Sequence, residues 1–516
     1  MDQNTEYEQL FTARPRVTYW LTRFMILRLL GVIYAVAFCV ALNQIIPLIG
    51  SNGLTPLDLY LDRVSAALGS TSKGFWRLPS LFWWWHSDTA LLTFAWIGLI
   101  LSCLLVAGYA NAPMLAILWF IYMSFNHVGQ EWYGYGWEIQ LTETGFLAMF
   151  LCPLLDMRPF PKREPPLPII ILFRWLIARM MPGAGLIKLR GDEVWRNGTA
   201  LYYHFETQPI PGPLSSWFHF LPKILLKIGV WFNWLAELVA PFFAFWPRIA
   251  RHIAGLVMIL LQFVLILSGN LSFLNWLTII PALACFDDGF WSRILPKLLV
   301  SKAKYAEQHS EKSKPMLITS WVVTILIGIL SFQPISNMLS PGQIMNTSFD
   351  RFDLVNTYGA FGSVGKERFN VVFEGTMDDD STDTAHWQEY IYKGLPVLLN
   401  KNSPQIAPYQ LRLDWQMWFA AMSTSQDYPW TYNLVWKLLH NDRDAVRLFA
   451  VNPFPDKPPK FIRAVLYRYS FAKPGNMEKN WWTRERLGLW LPELSVNNSQ
   501  FKEYLKSQGW LKSLQR

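Results

Sequence analysis

Long apolar runs separated by short charged punctuation fill the first two thirds of the chain, and nothing else in the sequence restricts the fold as strongly. A helix needs about 20 residues to cross a hydrocarbon core of about 30 Å. Inside that core every backbone amide must be paired within the protein, so only helices or a closed barrel can span it. Runs of this length predict helices near 24–49, 89–108, 113–128, 137–155, 166–189, 223–246, 252–268, 271–286 and 315–332, about nine spans. The first run follows Arg14, Arg16 and Arg23, is too long for a cleavable signal peptide and has no small-residue cleavage site. It reads as a retained span.

Composition agrees. Of 516 residues, 52% are hydrophobic and only 16% charged, a balance that belongs in a bilayer. The 27 tryptophans suit headgroup depth, where amphipathic rings settle, and Trp83, Trp84 and Trp85 read as such a belt. The net charge of +9 lies in short loops between apolar runs and not on one polar element with interleaved aromatics. Membrane lipids are therefore expected partners, and nucleic acid is not. Cys39, Cys103, Cys152 and Cys285 lie in or beside apolar runs without paired spacing, so no disulfide framework is expected. The histidines form no HxxxH or His/Cys cluster, so no metal is expected.

The loops set the topology. Arg158, Lys162 and Arg163, then Arg248 and Arg251, then Arg293, Lys297, Lys302, Lys304, Lys312 and Lys314 mark the cytoplasmic side. An odd number of spans places the remainder on the far side, in a periplasm or in the lumen of the endoplasmic reticulum. From Ser340 the composition becomes that of a water-soluble domain. Residues 369–374 and 463–471 alternate as strands, the second with Val465, Tyr467, Tyr469 and Phe471 on one face. Residues 411–422 and 429–440 have helical spacing. The expected fold is an α-helical polytopic membrane bundle (1–335) followed by a β-rich soluble C-terminal domain (340–516).

Ionisable groups within the spans are costly and need partners. The fourth run opens with Glu138, Gln140 and Glu143, the last two on one face at i, i+3. The fifth carries Arg174, Arg179 and Lys188, and the sixth carries Asn233 and Glu237 at i, i+4. These predict a buried polar core shared by the fourth, fifth and sixth spans, either chemical or simply interhelical glue. The loop between the fifth and sixth runs packs Asp192, Trp195, Tyr202, Tyr203, His204, Glu206, Gln208, Trp217 and His219 into a short stretch. It reads as a shaped loop that could cover the polar core, or as an interfacial helix. The stretch 358–366 has glycines and Lys366 but lacks the P-loop spacing, and it reads as a turn between strands. No GxSxG occurs, which argues against a serine lipase.

Residues 183–192 (GAGLIKLRGD), 201–215 (LYYHFETQPIPGPLS), 351–362 (RFDLVNTYGAFG), 408–422 (PYQLRLDWQMWFAAM), Asn452-Pro453-Phe454 and Pro458-Pro459 together resemble the lipase maturation factor family. That resemblance implies a membrane protein that helps a client fold or assemble, a lipase in animal members. The stretch 387–396 lacks a cysteine that animal members carry, which makes a bacterial member and an inner-membrane location the expectation, or the endoplasmic reticulum membrane if the host is eukaryotic. A fainter likeness covers Ala184 to Leu189 with Trp195, which is similar to the lysine region of vitamin K-dependent gamma-glutamyl carboxylases. It implies Lys188 as a base for quinol oxygenation, with Glu138, Gln140, Glu143 or His204 shaping the pocket. The opposing reading is a snorkelling Lys188 paired with Asp192 or Glu193. The leading expectation is a maturation factor with an extracytoplasmic client and no cofactor. The alternatives are a quinol-dependent oxygenase and, third, a transporter.

Overall fold

Each apolar run becomes a helix, and three of these helices open on a side-chain cap. A computed structural model describes residues 17–475 and 479–511, so Arg14 and Arg16 lie outside the described residues. In order, the membrane part contains α1 (Trp20–Ile49), α2 (Asp88–Ala107), α3 (Ala112–Val128), α4 (Gly136–Met149) and α5 (Leu167–Gly191). It continues with α6 (Lys223–Trp234), α7 (Arg248–Ser268), α8 (Leu274–Ala282) and α9 (Lys314–Leu330). Ser87, Asn111 and Ser313 accept from the first-turn amides of α2, α3 and α9, and prolines occupy the first turns of α3, α5 and α9.

The nine expected spans differ in length. Six helices are long and apolar enough to cross a membrane, with α6 extended to Phe245 and α9 to Leu339. Helices α3, α4 and α8 are shorter: at about 1.5 Å per residue, the 14 residues of α4 rise only about 21 Å. They nevertheless run between the same two ends of the bundle. Flanking α3, Ala112 donates to the Pro153 carbonyl at one end and Gln130 to the Thr55 carbonyl at the other.

One end gathers the basic loops. There Asp287 accepts from Arg248, Arg251 and His252, and Asp288 accepts from Thr18 and the amides of Trp20 and Leu21. The other end receives the C-terminal part: Gln44 donates to the Gln410 carbonyl at 2.6 Å, Lys437 to the Asn52 carbonyl at 2.7 Å and Asn433 to the Leu54 carbonyl at 2.8 Å. Of the tryptophan belt, Trp84 and Trp85 are exposed, but Trp83 turns inward and donates to the Leu78 carbonyl.

The C-terminal part is a four-stranded antiparallel sheet with helices. Its strands are β1 (Arg368–Thr376), β2 (Gln388–Glu389), β3 (Phe461–Phe471) and β4 (Trp482–Ser495), in the order β2-β1-β3-β4. The anticipated alternation holds in β3, where Val465, Tyr467, Tyr469 and Phe471 are buried. Helices α10 (Arg412–Ala420), α11 (Trp430–Leu438) and α12 (Ser499–Ser507) complete the domain. The stretch 358–366 is no turn between strands. It precedes β1 and runs across α5, where a Cβ on Gly183 would lie 2.8 Å from the Tyr358 carbonyl oxygen and one on Gly191 would collide with the Gly362 carbonyl. The glycines of α5 at these two positions permit that close backbone approach.

Candidate functional site

The ionisable groups of the membrane part do not share one core. They form separate clusters, and two of them are completed from the C-terminal part. Glu138 opens α4 and is fully buried; it accepts from the Tyr122 hydroxyl and from Arg412 Nη1 at 3.0 Å. Arg412 begins α10, donates also to the Trp132 carbonyl, and lies 3.5 Å over the Tyr133 ring. Its backbone amide donates to Gln44 of α1 at 2.9 Å. Through Glu138 with its Tyr122 bond, and through Gln44, Arg412 thus ties α1, α3 and α4 to the C-terminal domain.

Glu143 lies farther along α4 and pairs with Arg179 of α5, with both side chains buried. Its second oxygen accepts from the Asn356 amide at 3.1 Å, the Asn356 side chain at 3.1 Å and the Tyr358 hydroxyl at 2.7 Å. Arg179 also donates to the Asn356 carbonyl. Gln140 turns away from Glu143 and donates to Thr278 of α8 at 3.2 Å. The i, i+3 spacing of these two residues therefore serves two different neighbours.

Lys188 makes a third cluster with α6. Its ammonium lies 2.5 Å from Glu237 and 3.2 Å from Asn233, Asn233 donates to the other Glu237 oxygen at 2.9 Å, and Trp195 covers the ammonium at 4.9 Å. This lysine neither snorkels to Asp192 or Glu193 nor faces Glu138 or Glu143. Asp192 instead caps the short helix Glu193–Arg196 and accepts from Ser363 and the Val364 amide. Arg174 belongs to the opposite end of α5, where it donates to the Tyr19 hydroxyl at 2.7 Å and the Ala284 carbonyl at 2.8 Å.

The aromatic loop is a seam and not a lid over a shared polar core, because the C-terminal sheet is docked on it. Arg368 of β1 donates to the carbonyls of Glu206, Gln208 and Pro209, and the Glu206 carboxylate accepts from the Phe471 amide at 2.6 Å. Gln208 donates to Ser215 and to the Ser268 carbonyl. Trp195 donates to the Phe361 carbonyl at 2.8 Å, and Tyr202 lies under Lys223. Tyr203 packs with Trp195 and Val230. His204 is buried edge-on to Phe361; burial first, and the Lys188 charge second, push its imidazole down to about 4. Trp217 remains exposed. Among the described residues no group of three His, Cys, Asp or Glu could hold a metal ion.

Arg412, Asn356 and Tyr358 are the residues that helix-by-helix reading misses. Two of the family-like stretches of the C-terminal part contain them, at 408–422 and 351–362, so the signal was present without its partner.

Comparison with known proteins assigns both parts. The lipase maturation factor transmembrane domain matches residues 21–293, and the lipase maturation factor C-terminal domain matches residues 354–492. Lipase maturation factor 1 of Mus musculus is 44% identical, with 96% of this chain and 90% of the relative covered. The Homo sapiens protein of that name is 41% identical over 96% and 91%. Lipase maturation factor 2 of Xenopus laevis is 29% identical over 93% and 83%. No solved structure matches the chain. With both family domains matched and joined through Glu138, Glu143 and the aromatic loop, the chain belongs to the lipase maturation factor family.

Proposed function

We propose that this protein is a membrane-embedded maturation factor that helps a lipase client fold or assemble, and that the client is met at the end of the bundle carrying the C-terminal domain. The observation that carries this reading is the 44% identity over 96% of the chain to a protein named lipase maturation factor 1. The basic loops lie at the opposite end, and a concentration of Lys and Arg in short loops marks the cytoplasmic face. The client side is then the lumen of the endoplasmic reticulum in a eukaryote or the periplasm in a bacterium. The carboxylase-like alternative finds no support in the relatives, and the Lys188 ammonium is committed to Glu237 and Asn233.

The test is co-expression with a secreted lipase in cells depleted of their own maturation factor. Specific activity of the secreted lipase, in activity per mass of lipase, rises when this chain is present. Equal specific activity with and without the chain would overturn the proposal. Purified protein that consumed oxygen with reduced quinone, and stopped doing so in Lys188→Ala, would return the enzyme reading.

A further inference from the structure

The basic end of the bundle contains a feature that client maturation leaves unexplained. A cleft of about 770 Å³ opens between the first turns of α3 and α9 and the last turn of α4. Its walls are apolar, with Ala112, Ala116, Phe150 and Met316 among them. Beside its mouth, Leu154 and Leu155 are 67% and 80% exposed, and they lie next to Asp156 and Arg158 in the chain. Two large apolar side chains beside charged ones suit a site where hydrocarbon meets headgroups.

The mouth is a fixed frame. The Glu311 amide donates to the Lys162 carbonyl at 2.8 Å, Arg163 pairs with Glu311 at 3.2 Å, and buried Arg23 holds the Arg163 carbonyl from beneath at 2.8 Å. Asp156 holds Arg158 at 2.6 Å. Between these pairs stands Lys162, whose ammonium forms no ion pair among the described residues. Of the charged residues that line the cleft, Arg158, Lys162 and Arg163 outnumber Asp156 and Glu311, so the rim is cationic above an apolar pocket. Cationic pockets between membrane helices take anionic lipid headgroups, and a cavity of a few hundred cubic ångströms holds a ligand of that size.

We infer that this cleft binds one anionic diacyl phospholipid, with its phosphate at Lys162 and the upper acyl chain along Ala116, Phe150 and Met316. The charge of the rim selects the headgroup, and the apolar walls distinguish a lipid from a free phosphate. The site is separate from the Glu138, Glu143 and Lys188 clusters and does not depend on the client reading.

The full-length protein, exchanged into nanodiscs of equal phosphatidylglycerol and phosphatidylcholine and released for native mass spectrometry, tests the inference. Wild type retains phosphatidylglycerol over phosphatidylcholine. Lys162→Gln lowers the retained phosphatidylglycerol about fivefold, the effect of about one surface cation on an anionic lipid, and leaves phosphatidylcholine unchanged. Ala116→Trp, which fills the apolar part, removes the retained lipid while thermal unfolding shows the fold intact. Lys302→Gln, on the exposed face of the helix Lys297–Gln308 and outside the cleft, changes nothing. Equal retention of both lipids by wild type, or phosphatidylglycerol retention unaltered in both cleft variants, overturns the inference. So does displacement of the retained lipid by inorganic phosphate alone.

Discussion

Lys188 and Arg412 are both buried cations on buried carboxylates, yet they hold different things together. Glu237, the partner of Lys188, is on the next membrane helix, 49 residues away. Glu138, the partner of Arg412, is 274 residues away across the junction between the two family domains. The first pair closes the bundle on itself. The second makes the bundle incomplete until the C-terminal domain arrives, because Glu138 would otherwise be a fully buried carboxylate without a cation. Folding of the C-terminal domain and packing of α4 are therefore coupled, and the same holds for Glu143 through Asn356 and Tyr358.

The largest effect follows from breaking either pair. Arg412→Met strands Glu138 and is expected to cost about 3–5 kcal/mol, and Lys188→Met strands Glu237 at a similar cost. Thermal unfolding of detergent-solubilised protein reads both. Glu138→Gln added to Arg412→Met recovers most of the loss, and Glu237→Gln does so for Lys188→Met. The two pairs share no partner, so Arg412→Met with Lys188→Met should be additive within about 0.5 kcal/mol. Strong coupling would dissolve the distinction between them, and an unchanged midpoint in Arg412→Met would refute the seam.

A smaller effect probes the close backbone approach of the 358–366 stretch to α5. Gly191→Ala drives a methyl into the Gly362 carbonyl and is expected to cost about 1–3 kcal/mol by overpacking. Gly198, at φ 70° in the loop and free of such a contact, gives a comparison in which any cost is conformational only.

Acid separates the two pairs further. His204 lies close enough to Lys188 to feel its charge, and its imidazole is held at about 4, below the value of about 6.5 in an unfolded chain. As pH falls through 6.5 the unfolded chain takes up a proton that the folded one refuses. Stability is therefore lost on acidification, by about 2 kcal/mol between pH 7 and pH 5. Asp414 opposes this: burial pushes it up to about 6 against bonds from the Leu395 and Gly394 amides, so its contribution improves as pH falls. The difference between wild type and His204→Phe isolates the histidine. The acid-dependent loss should shrink in the variant, and an identical pH profile would remove His204 from the account.

How much of this was legible depends on whether the determinant was local. Continuous apolar runs and their caps are local, and all nine helices lie where the runs place them. Strand β3 is legible because its buried residues alternate. Strand β4 is not, since Thr483, Glu485, Arg486, Leu487 and Leu489 leave most of its first half exposed whichever way they point. The ionic clusters were half legible: Glu143 with Arg179, and Lys188 with Glu237, follow from neighbouring spans carrying opposite charges. The Glu138 partner does not, because helical spacing names a face and never the element that meets it.

The same comparison carries its own control on the sheet surface. Arg468 of β3 pairs with Glu485 at 2.5 Å, the distance of Lys188 from Glu237, and with Glu367 at 2.7 Å. Its side chain is 39% exposed and those of its partners 61% and 50%, so water already solvates all three charges. Short distance alone does not make a pair count; burial does, because only a buried partner is left stranded when the other is removed. Arg468→Ala should therefore shift stability by no more than about 0.5 kcal/mol, read by the same thermal unfolding that registers Arg412→Met. A loss as large as that of Arg412→Met would mean that geometry, and not exclusion from water, decides which ionic contacts hold this protein together.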